Sequence, residues 1–319
     1  MPKILVTGGG GFIGSNLTEA LLKQGHQVRV FDNFLTGKRE NLIFDKAYPD
    51  LEILEGDIRD VTLCHEAMKE IEYVFHQAAL PSVQQSIEDP VTSNGVNVGG
   101  TLNLLLAARD ASVKKWVYAS SCAIYGDDPT LPKSEAMRQN SKSPYAFQKF
   151  VGEEYGKLFF QCYGLETVAL RYFNVFGPKQ DPHSLYSAVI PRFIDALIHD
   201  RSPVIDGDGE QSRDFIYIED VIQANFLAMT AGLLPGEVIN VASGKGTSIN
   251  QLLHILKEIT GSERSAIYQA PRQGDIRHSL ADIQKGKRLL NYDPKVSMMT
   301  GLKKTVEFFK RQAIGEEKR

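Results

Sequence analysis

A glycine-rich turn near the start of the chain constrains the fold more than any other feature. Gly8, Gly11 and Gly14 lie between an apolar, β-branched run at residues 3–7 and an amphipathic stretch at residues 15–24. The first predicts a strand and the second a helix. Glycine lets such a turn approach a pyrophosphate, and the helix N-terminus offers N–H groups and the positive end of its dipole. An ordinary glycine turn that binds no ligand is the alternative, and residues later in the chain distinguish the two.

Strand-like and helix-like stretches alternate through the first half of the chain, as in a parallel sheet covered by helices. The predicted strands are residues 3–7, 27–31, 51–55, 73–76, 115–120 and 167–172. This pattern predicts an α/β fold, a Rossmann-type doubly wound parallel sheet with helices on both faces, in a domain of residues 1–176. Ligands of such sheets bind at the carboxyl ends of the strands.

The alternation of strand-like and helix-like stretches becomes less regular after about residue 177, where Pro, Gly and short segments become more frequent. Residues 188–198 and 251–259 are predicted to be helical, and residues 238–241 form one more predicted strand. We expect a smaller, mixed α/β substrate domain at residues 177–319, with an interleaved boundary.

Composition excludes several classes of protein. The 319 residues carry 36 Lys and Arg against 39 Asp and Glu, a net charge of −3. Because basic residues are not in excess, the composition does not predict a nucleic-acid or membrane partner. With 42% hydrophobic residues, the chain is expected to form a core. No metal site is expected, because the three cysteines lack CxxC spacing and the seven histidines form no HxxxH or HxH pair. No signal peptide or membrane span is visible, so a cytoplasmic location is expected.

An acidic residue at the end of the second predicted strand strengthens the case for a dinucleotide. Asp32 follows Gly14 by 18 residues (32 − 14), close to the ~20 expected for an acid that binds a ribose. A carboxylate there favours NAD over NADP. Lys38 and Arg39 follow, either as a solvated loop or as a clamp for a 2′-phosphate. Asp57, after the third strand, is a candidate for the adenine amino group or a plain loop residue.

The chemical site is predicted at a Tyr-x-x-x-Lys spacing. Ser143 and Pro144 suit the cap and first position of a helix, so Tyr145 and Lys149 would lie one turn apart on one face. A cation beside the phenol, together with a positive nicotinamide ring, is expected to lower the pKa of Tyr145 and make it a proton acceptor. Surface packing is the alternative for such a pair alone.

Taken together, these motifs resemble the extended short-chain dehydrogenase/reductase family, over nearly the whole chain. The likeness is greatest to its NAD-dependent UDP-hexose 4-epimerases, and among these to bacterial UDP-N-acetylglucosamine 4-epimerases. Besides the residues above, the resemblance rests on His76-Gln77-Ala78-Ala79, Asn97, Ser121, Leu170-Arg171-Tyr172-Phe173-Asn174, Gln211-Ser212-Arg213-Asp214 and Arg272-Gln273-Gly274-Asp275. Pro81 departs from the pattern, since many glucose-type 4-epimerases carry a lysine there.

The resemblance implies a role for each matching residue. Ser121 would hydrogen-bond the sugar O4, Tyr145 would take its proton, and Lys149 would bind the nicotinamide ribose. The implied NAD contacts are Gly8, Gly11, Phe12, Ile13, Gly14, Asp32, Asn33, Asp57, Ile58, Gln77, Ala78, Ala79, Asn97, Tyr145, Lys149 and Phe173. The implied UDP-sugar contacts are Ser121, Asn174, Val189, Arg213, Arg272, Asp275 and Ser279. A local ion pair with Asp214 is the alternative for Arg213.

Residues after the serine favour one reaction of the family over others. Dehydratases carry Asp-Glu there and decarboxylases a glutamate at the second position, whereas this chain has Cys122 and Ala123. The resemblance therefore implies 4-epimerisation through a transient 4-keto sugar. Cys122 is interpreted as a small apolar residue rather than a nucleophile.

The identity of the sugar depends on Ser279. In 4-epimerases a tyrosine at the matching position restricts the enzyme to non-acetylated sugars, and serine leaves room for an N-acetyl group. We therefore expect UDP-GlcNAc/UDP-GalNAc interconversion, with UDP-Glc/UDP-Gal as well. A UDP-glucose 4-epimerase without N-acetyl preference, a UDP-glucuronate 4-epimerase and a non-catalytic NAD-binding regulator stay open. The family also implies a homodimer through residues 97–108 and 145–162, although their leucines could equally belong to the intramolecular core.

Overall fold

A parallel sheet of seven strands organises the protein. The computed structural model describes residues 1–182, 188–271 and 276–316. The described strands are β1 Lys3–Thr7, β2 Gln27–Asp32, β3 Leu51–Glu55, β4 Tyr73–His76, β5 Lys115–Ser121, β6 Thr167–Tyr172, β7 Asn174–Phe176, β8 Val204–Asp206, β9 Ser212–Tyr217, β10 Glu237–Val241, β11 Gly246–Ser248 and β12 Ile267–Gln269. The seven strands run in the order β10-β6-β5-β4-β1-β2-β3, all parallel. The predicted Rossmann-type sheet is confirmed.

Helices cover both faces of this sheet. They are α1 Phe12–Lys23, α2 Val61–Ala67, α3 Val83–Glu88, α4 Pro90–Asn94, α5 Thr101–Asp110, α6 Pro144–Tyr163, α7 Val189–Ile198, α8 Ile218–Thr230, α9 Ile249–Thr260, α10 Gln284–Leu290 and α11 Met298–Glu316. A π-helical stretch, Gly95–Gly100, joins α4 to α5. Side chains alternate between the faces, as in any strand: Ile4 and Val6 pack into one hydrophobic cluster and Leu5 into another. No helix of the described residues is long and apolar enough to span a membrane.

The strand order reverses between β1 and β4, which is where ligands of this fold bind. The neighbours of β1 are β2 on one side and β4 on the other. The glycine turn after β1 and the Gln77 segment after β4 therefore meet at one edge of the sheet. Here the backbone N–H of Gln77 donates to the carbonyl of Thr7 at 3.1 Å.

The position of β10 differs from the expectation that its residues belong to the second region. β10 pairs with β6 in parallel and forms the edge of the main sheet. Its Val238, Ile239 and Val241 are all less than 10% exposed, so burial of these side chains explains why the strand returns to the sheet. The division into 1–176 and 177–319 stays a prediction, and the sheet crosses its boundary.

The rest of the second half forms small sheets packed with helices. One sheet has the order β11-β9-β7 and another pairs β12 with β8. Helices α7 and α9 are strongly amphipathic, and Phe193, Ile194, Leu252 and Leu256 are buried in their shared cluster. This packing places β7, β9 and α7 beside the carboxyl edge of the main sheet.

Candidate active site

The turn after β1 requires glycine at two positions. Gly8 has φ +68°, and a Cβ there would lie 2.6 Å from the backbone nitrogen of Ala78. A Cβ on Gly14 would lie 2.1 Å from the carbonyl oxygen of Gly8. Gly11 caps α1 without a side-chain hydrogen bond, so the first-turn N–H groups of Phe12 and Ile13 are available to an anion. The turn thus fits a pyrophosphate.

Asp32 stabilises this turn through two hydrogen bonds to backbone N–H groups. Its Oδ2 accepts a hydrogen bond from the N–H of Gly10 at 2.8 Å, and its Oδ1 accepts one from the N–H of Phe34 at 2.7 Å. A carboxylate has about four acceptor positions, so these bonds leave capacity for ribose hydroxyls.

The two basic residues that follow Asp32 have carboxylate partners in the structure. The ammonium of Lys38 lies 3.0 Å from Asp181. Arg39 pairs with Glu55, and its guanidinium lies 4.3 Å from the centre of the Phe34 ring. These pairs favour the loop interpretation of Lys38 and Arg39 over the 2′-phosphate clamp.

Asp57 and Ile58 follow β3, the edge strand next to β2. Arg59 donates to both oxygens of Asp57, at 3.0 and 2.8 Å, and the amide of Asn33 donates to Oδ2 at 2.9 Å. The Arg59 hydrogen bond is the main reason that the pKa of Asp57 is lowered to about 2. Asp57 is therefore an ionised acceptor, and the side chain of Ile58 is 5% exposed beside it.

A cavity of about 790 Å³ joins these features to the Tyr145 helix. Its size is in the range of cofactor sites. Among the predicted NAD contacts, those that line it are Gly8, Gly11, Phe12, Ile13, Gly14, Asp32, Asn33, Asp57, Ile58, Gln77, Ala78, Ala79, Tyr145 and Lys149. Together, the glycine cradle, the Asp32 carboxylate and the cavity fit a dinucleotide.

Two predicted NAD contacts, Asn97 and Phe173, are not among the residues that line the cavity. Asn97 is 1% exposed; it accepts from the N–H of Leu80 at 2.8 Å and donates to Gln148 on α6 at 2.8 Å. Phe173 is 3% exposed and packs against Tyr125. Their contact with NAD stays a prediction.

Sequence reasoning missed the residues that fix Gln77. The amide of Gln77 donates to the hydroxyl of Tyr172 at 3.1 Å, and that hydroxyl donates to Asn225 on α8 at 3.0 Å. Tyr172 also lines the cavity. Tyr172 stood within a matching motif, but no sequence signal pointed to Asn225. Lys179 was missed too; it lines the cavity and donates to the carbonyl of Asn41 at 3.0 Å.

The three predicted catalytic residues come together where β5 meets α6. Ser143 caps α6, its Oγ accepting from the N–H of Ala146 at 3.2 Å, with Pro144 in the first turn. Lys149 is buried and donates to the carbonyl of Ala119 at 2.8 Å. Ser121 ends β5 and lies close enough to Tyr145 to influence the pKa of that phenol. The predicted one-turn pairing of Tyr145 and Lys149 on a helix is present.

Burial controls the pKa of Tyr145 in the chain by itself. Desolvation raises this pKa to about 12, and Ser121 acts in the opposite direction. Burial also lowers the pKa of Lys149 to about 7, while Glu153 acts in the other direction. The predicted depression of the phenol pKa involves the positive nicotinamide ring together with Lys149, so it stays a prediction for the protein with its cofactor bound.

Cys122 has no nucleophilic character. Burial raises the pKa of its thiol to about 12, so it is a neutral thiol near neutral pH. Ala123, the next residue, donates its backbone N–H to the Ser121 hydroxyl at 3.2 Å and adds no acid or base.

A second cavity of about 410 Å³ adjoins the first, and both are lined by Val175 and Ala188. Three predicted UDP-sugar contacts, Asn174, Val189 and Arg213, line it. Apolar side chains of Phe193, Phe215 and Ile249 form much of the rest. The cavity thus combines an apolar surface with a guanidinium, which suits a nucleotide diphosphate.

Arg213 and Asp214 point to different partners. Arg213 donates to the carbonyls of Ser212, at 2.9 Å, and Arg277, at 3.4 Å. The Asp214 carboxylate is buried and accepts from Ser243, Gly244 and Ala281. Burial raises the pKa of Asp214. The partners of Asp214 argue against its local ion pair with Arg213.

Ser279 lies next to the strand that carries Arg213. Its N–H donates to the carbonyl of Ser212 at 3.0 Å, and its side chain is half-buried. It is not among the residues that line the two cavities. The predicted contacts Arg272 and Asp275 lie outside the described residues.

Comparisons with known proteins give the family of the chain. The model of the NAD dependent epimerase/dehydratase family matches residues 4–242. A UDP-N-acetylglucosamine 4-epimerase from Methanobrevibacter ruminantium M1, solved with UDP-N-acetylmuramic acid, is 42% identical with a TM-score of 0.93, covering 98% of this chain and 99% of that one. A UDP-glucose 4-epimerase from Thermotoga maritima, solved with UDP-glucose, is 40% identical with a TM-score of 0.93 over the same shares.

A curated relative gives the same result. The UDP-glucose 4-epimerase of Mycolicibacterium smegmatis is 37% identical over 98% of this chain and 99% of its own length. The predicted family and the predicted cofactor are confirmed: the chain belongs to the NAD-dependent epimerase/dehydratase family.

Proposed function

We propose that the protein is a 4-epimerase of UDP-hexoses, acting through a transient 4-keto sugar. One observation carries the proposal: Tyr145 and Lys149 line a dinucleotide cavity that shares Val175 and Ala188 with a second cavity containing Arg213. A substrate held by its diphosphate at Arg213 can extend its sugar towards Tyr145. The names of the relatives support the same class of reaction.

Each residue of the chain has a separate task in this reaction. NAD, when bound, supplies the acceptor and donor of a hydride. Tyr145 takes the proton from the sugar O4 and later returns it, while the Ser121 hydroxyl orients O4 by hydrogen bonding. Lys149 holds the cofactor ribose and favours the phenolate through its charge. Arg213 keeps the diphosphate in place while the sugar presents its other face.

The residues after Ser121 favour epimerisation over elimination or decarboxylation. Those reactions need a further acid or base beside C5. At the corresponding place the chain has a neutral Cys122 thiol, whose pKa is raised to about 12 by burial, and the methyl of Ala123. Return of the hydride to the other face of C4 needs no additional group.

The substrate proposal is UDP-GlcNAc/UDP-GalNAc, with UDP-Glc/UDP-Gal as a second pair. Ser279 supports the N-acetyl pair, since a small side chain leaves space beside the C2 substituent. The likeness to an N-acetylglucosamine epimerase adds to it, and the likeness to the Thermotoga maritima enzyme solved with UDP-glucose favours the second pair. A UDP-glucuronate 4-epimerase is the remaining candidate within the class.

We also propose a homodimer, in which the helical segments 97–108 and 145–162 pack against those of a second copy. Leu105 is fully buried in its own subunit, but Phe147 and Leu158 are 50% and 49% exposed. Exposed apolar side chains on a helix are typical of an interface. Light scattering should give twice the mass of the 35.5 kDa chain; a mass of one chain would contradict the dimer. A cytoplasmic location stays a prediction.

The activity is tested by incubating the purified protein with each of the four sugars and resolving the C4 epimers by chromatography. We expect interconversion of both pairs, and its loss in Tyr145→Phe. Tyr163→Phe is a matched control, because it changes an exposed tyrosine of the same helix. No epimer from any of the four sugars, or full turnover in Tyr145→Phe, would overturn the proposal.

A further inference from the structure

A buried ion pair lies directly behind the catalytic lysine, and nothing in the reaction above uses it. Glu153 and Arg171 have side chains that are 0% and 6% exposed. The guanidinium donates to both carboxylate oxygens, Nε to Oε1 at 2.8 Å and Nη2 to Oε2 at 2.7 Å. Such a bidentate pair has little freedom to rearrange.

Glu153 is connected to Lys149 in two ways. First, Glu153 follows Lys149 by four residues on α6, so the two side chains are neighbours on one helix face. Second, Glu153 accepts a hydrogen bond from the hydroxyl of Ser120. Ser120 is bonded in the chain to Ala119, whose carbonyl accepts from the Lys149 ammonium at 2.8 Å. Glu153 therefore fixes the strand end that holds the lysine.

Stability does not explain why the pair is buried. Removing two charges from water costs more than their attraction usually returns, and apolar residues of similar size often serve a core as well. This pair spans α6 and β6, next to Lys149, where an isolated buried ammonium would otherwise lose its proton. Its location therefore suggests a purpose in the site.

Several titratable groups face Lys149. Burial lowers the pKa of His76 on β4, and the charge of Lys149 acts in the same direction. The Tyr118 ring on β5 lies 5.0 Å from the ammonium, and Tyr145 is on its own helix. Glu153 is the group whose charge favours the ammonium form. Arg171, on the far side of Glu153, donates to both oxygens of that carboxylate.

We propose that Glu153 is a positioning residue that keeps Lys149 protonated and aligned, with Arg171 as its anchor. The consequence for turnover rests on the function proposed above, whereas the effect on Lys149 does not. A neutral Lys149 would supply no charge to the Tyr145 phenolate, so loss of Glu153 impairs the base as well as the alignment.

The test is the titration of Lys149 in the purified protein, followed by NMR with 13C-labelled lysine and assigned with a Lys149→Met variant. In Glu153→Gln the Lys149 midpoint should fall by at least about one pH unit, a tenfold change in its protonation constant. Glu153→Asp should restore most of this shift. Glu154→Gln removes an exposed carboxylate from the next position and should leave the midpoint unchanged.

A second variant controls for the misfolding that Glu153→Gln could cause. Glu153→Gln leaves Arg171 buried without its carboxylate, so Glu153→Gln/Arg171→Met is measured as well; its midpoint should also fall, by less. Equal midpoints in wild type, Glu153→Gln and the double variant would overturn the proposal. A lowered midpoint in a protein that epimerises none of the four sugars would leave this inference standing and refute the proposed function.

Discussion

Gly14→Ala tests whether the turn after β1 is shaped for a dinucleotide. The added Cβ would lie 2.1 Å from the Gly8 carbonyl oxygen and 2.9 Å from the Cα of Gly9, about 1 Å closer than a normal contact. Both neighbours are backbone atoms, so relief requires a shift of the turn itself. Such overpacking costs about 1–3 kcal/mol. Alanine in place of glycine within α1 returns roughly 1 kcal/mol of helix propensity.

The unfolding free energy should therefore change little, by about 0–2 kcal/mol, while NAD binding weakens more. If the full 1–3 kcal/mol falls on binding, affinity drops roughly 5- to 150-fold. Calorimetry of NAD binding measures this, alongside urea unfolding. Gly232→Ala is the control, since a Cβ there meets nothing within 4 Å. Wild-type NAD affinity in Gly14→Ala would refute the reasoning.

Two other changes test separate parts of the account. Ser279→Tyr should abolish turnover of the N-acetyl pair and keep that of UDP-Glc/UDP-Gal, measured with the four-sugar assay; full N-acetyl activity would remove the argument from Ser279. In Asp57→Asn, the free energy of unfolding should fall less steeply than in the wild type as the pH is lowered below about 4. The pKa of Asp57 is about 2 in the folded chain against an ordinary 3.8, so its contribution is present above about pH 4 and lost as the pH falls towards 2. Urea unfolding at pH 6 and pH 3 measures this, and an equal loss of stability in wild type and Asp57→Asn would contradict it.

The main sheet could be predicted because its strands are short apolar runs bounded by glycine and polar residues. The predicted bounds of β1, β3, β4 and β6 agree with the structure. The place of β10 could not be predicted, because pairing between residues about 70 positions apart leaves no mark in local periodicity. Strands of three residues, such as β7 and β11, are too short to show alternation.

The candidate site, like the fold, could be predicted from the sequence only in part. Spacing was enough to place Tyr145 and Lys149 on one helix and Asp32 beside the glycine turn. The pKa of Tyr145 could not be predicted in the same way, because it depends on desolvation by burial and no motif encodes burial. Residues whose side chains hold others, such as Asn225 and Glu153, were missed for the same reason, since their partners come from distant segments.

The central claim is that the hydride removed from C4 returns to C4 of the same sugar. It is tested most directly with UDP-glucose carrying deuterium at C4, with the product examined by NMR and mass spectrometry. The account predicts UDP-galactose that retains the deuterium at C4 in the wild type, and no product in Tyr145→Phe. Inversion with loss of the deuterium to solvent would contradict it.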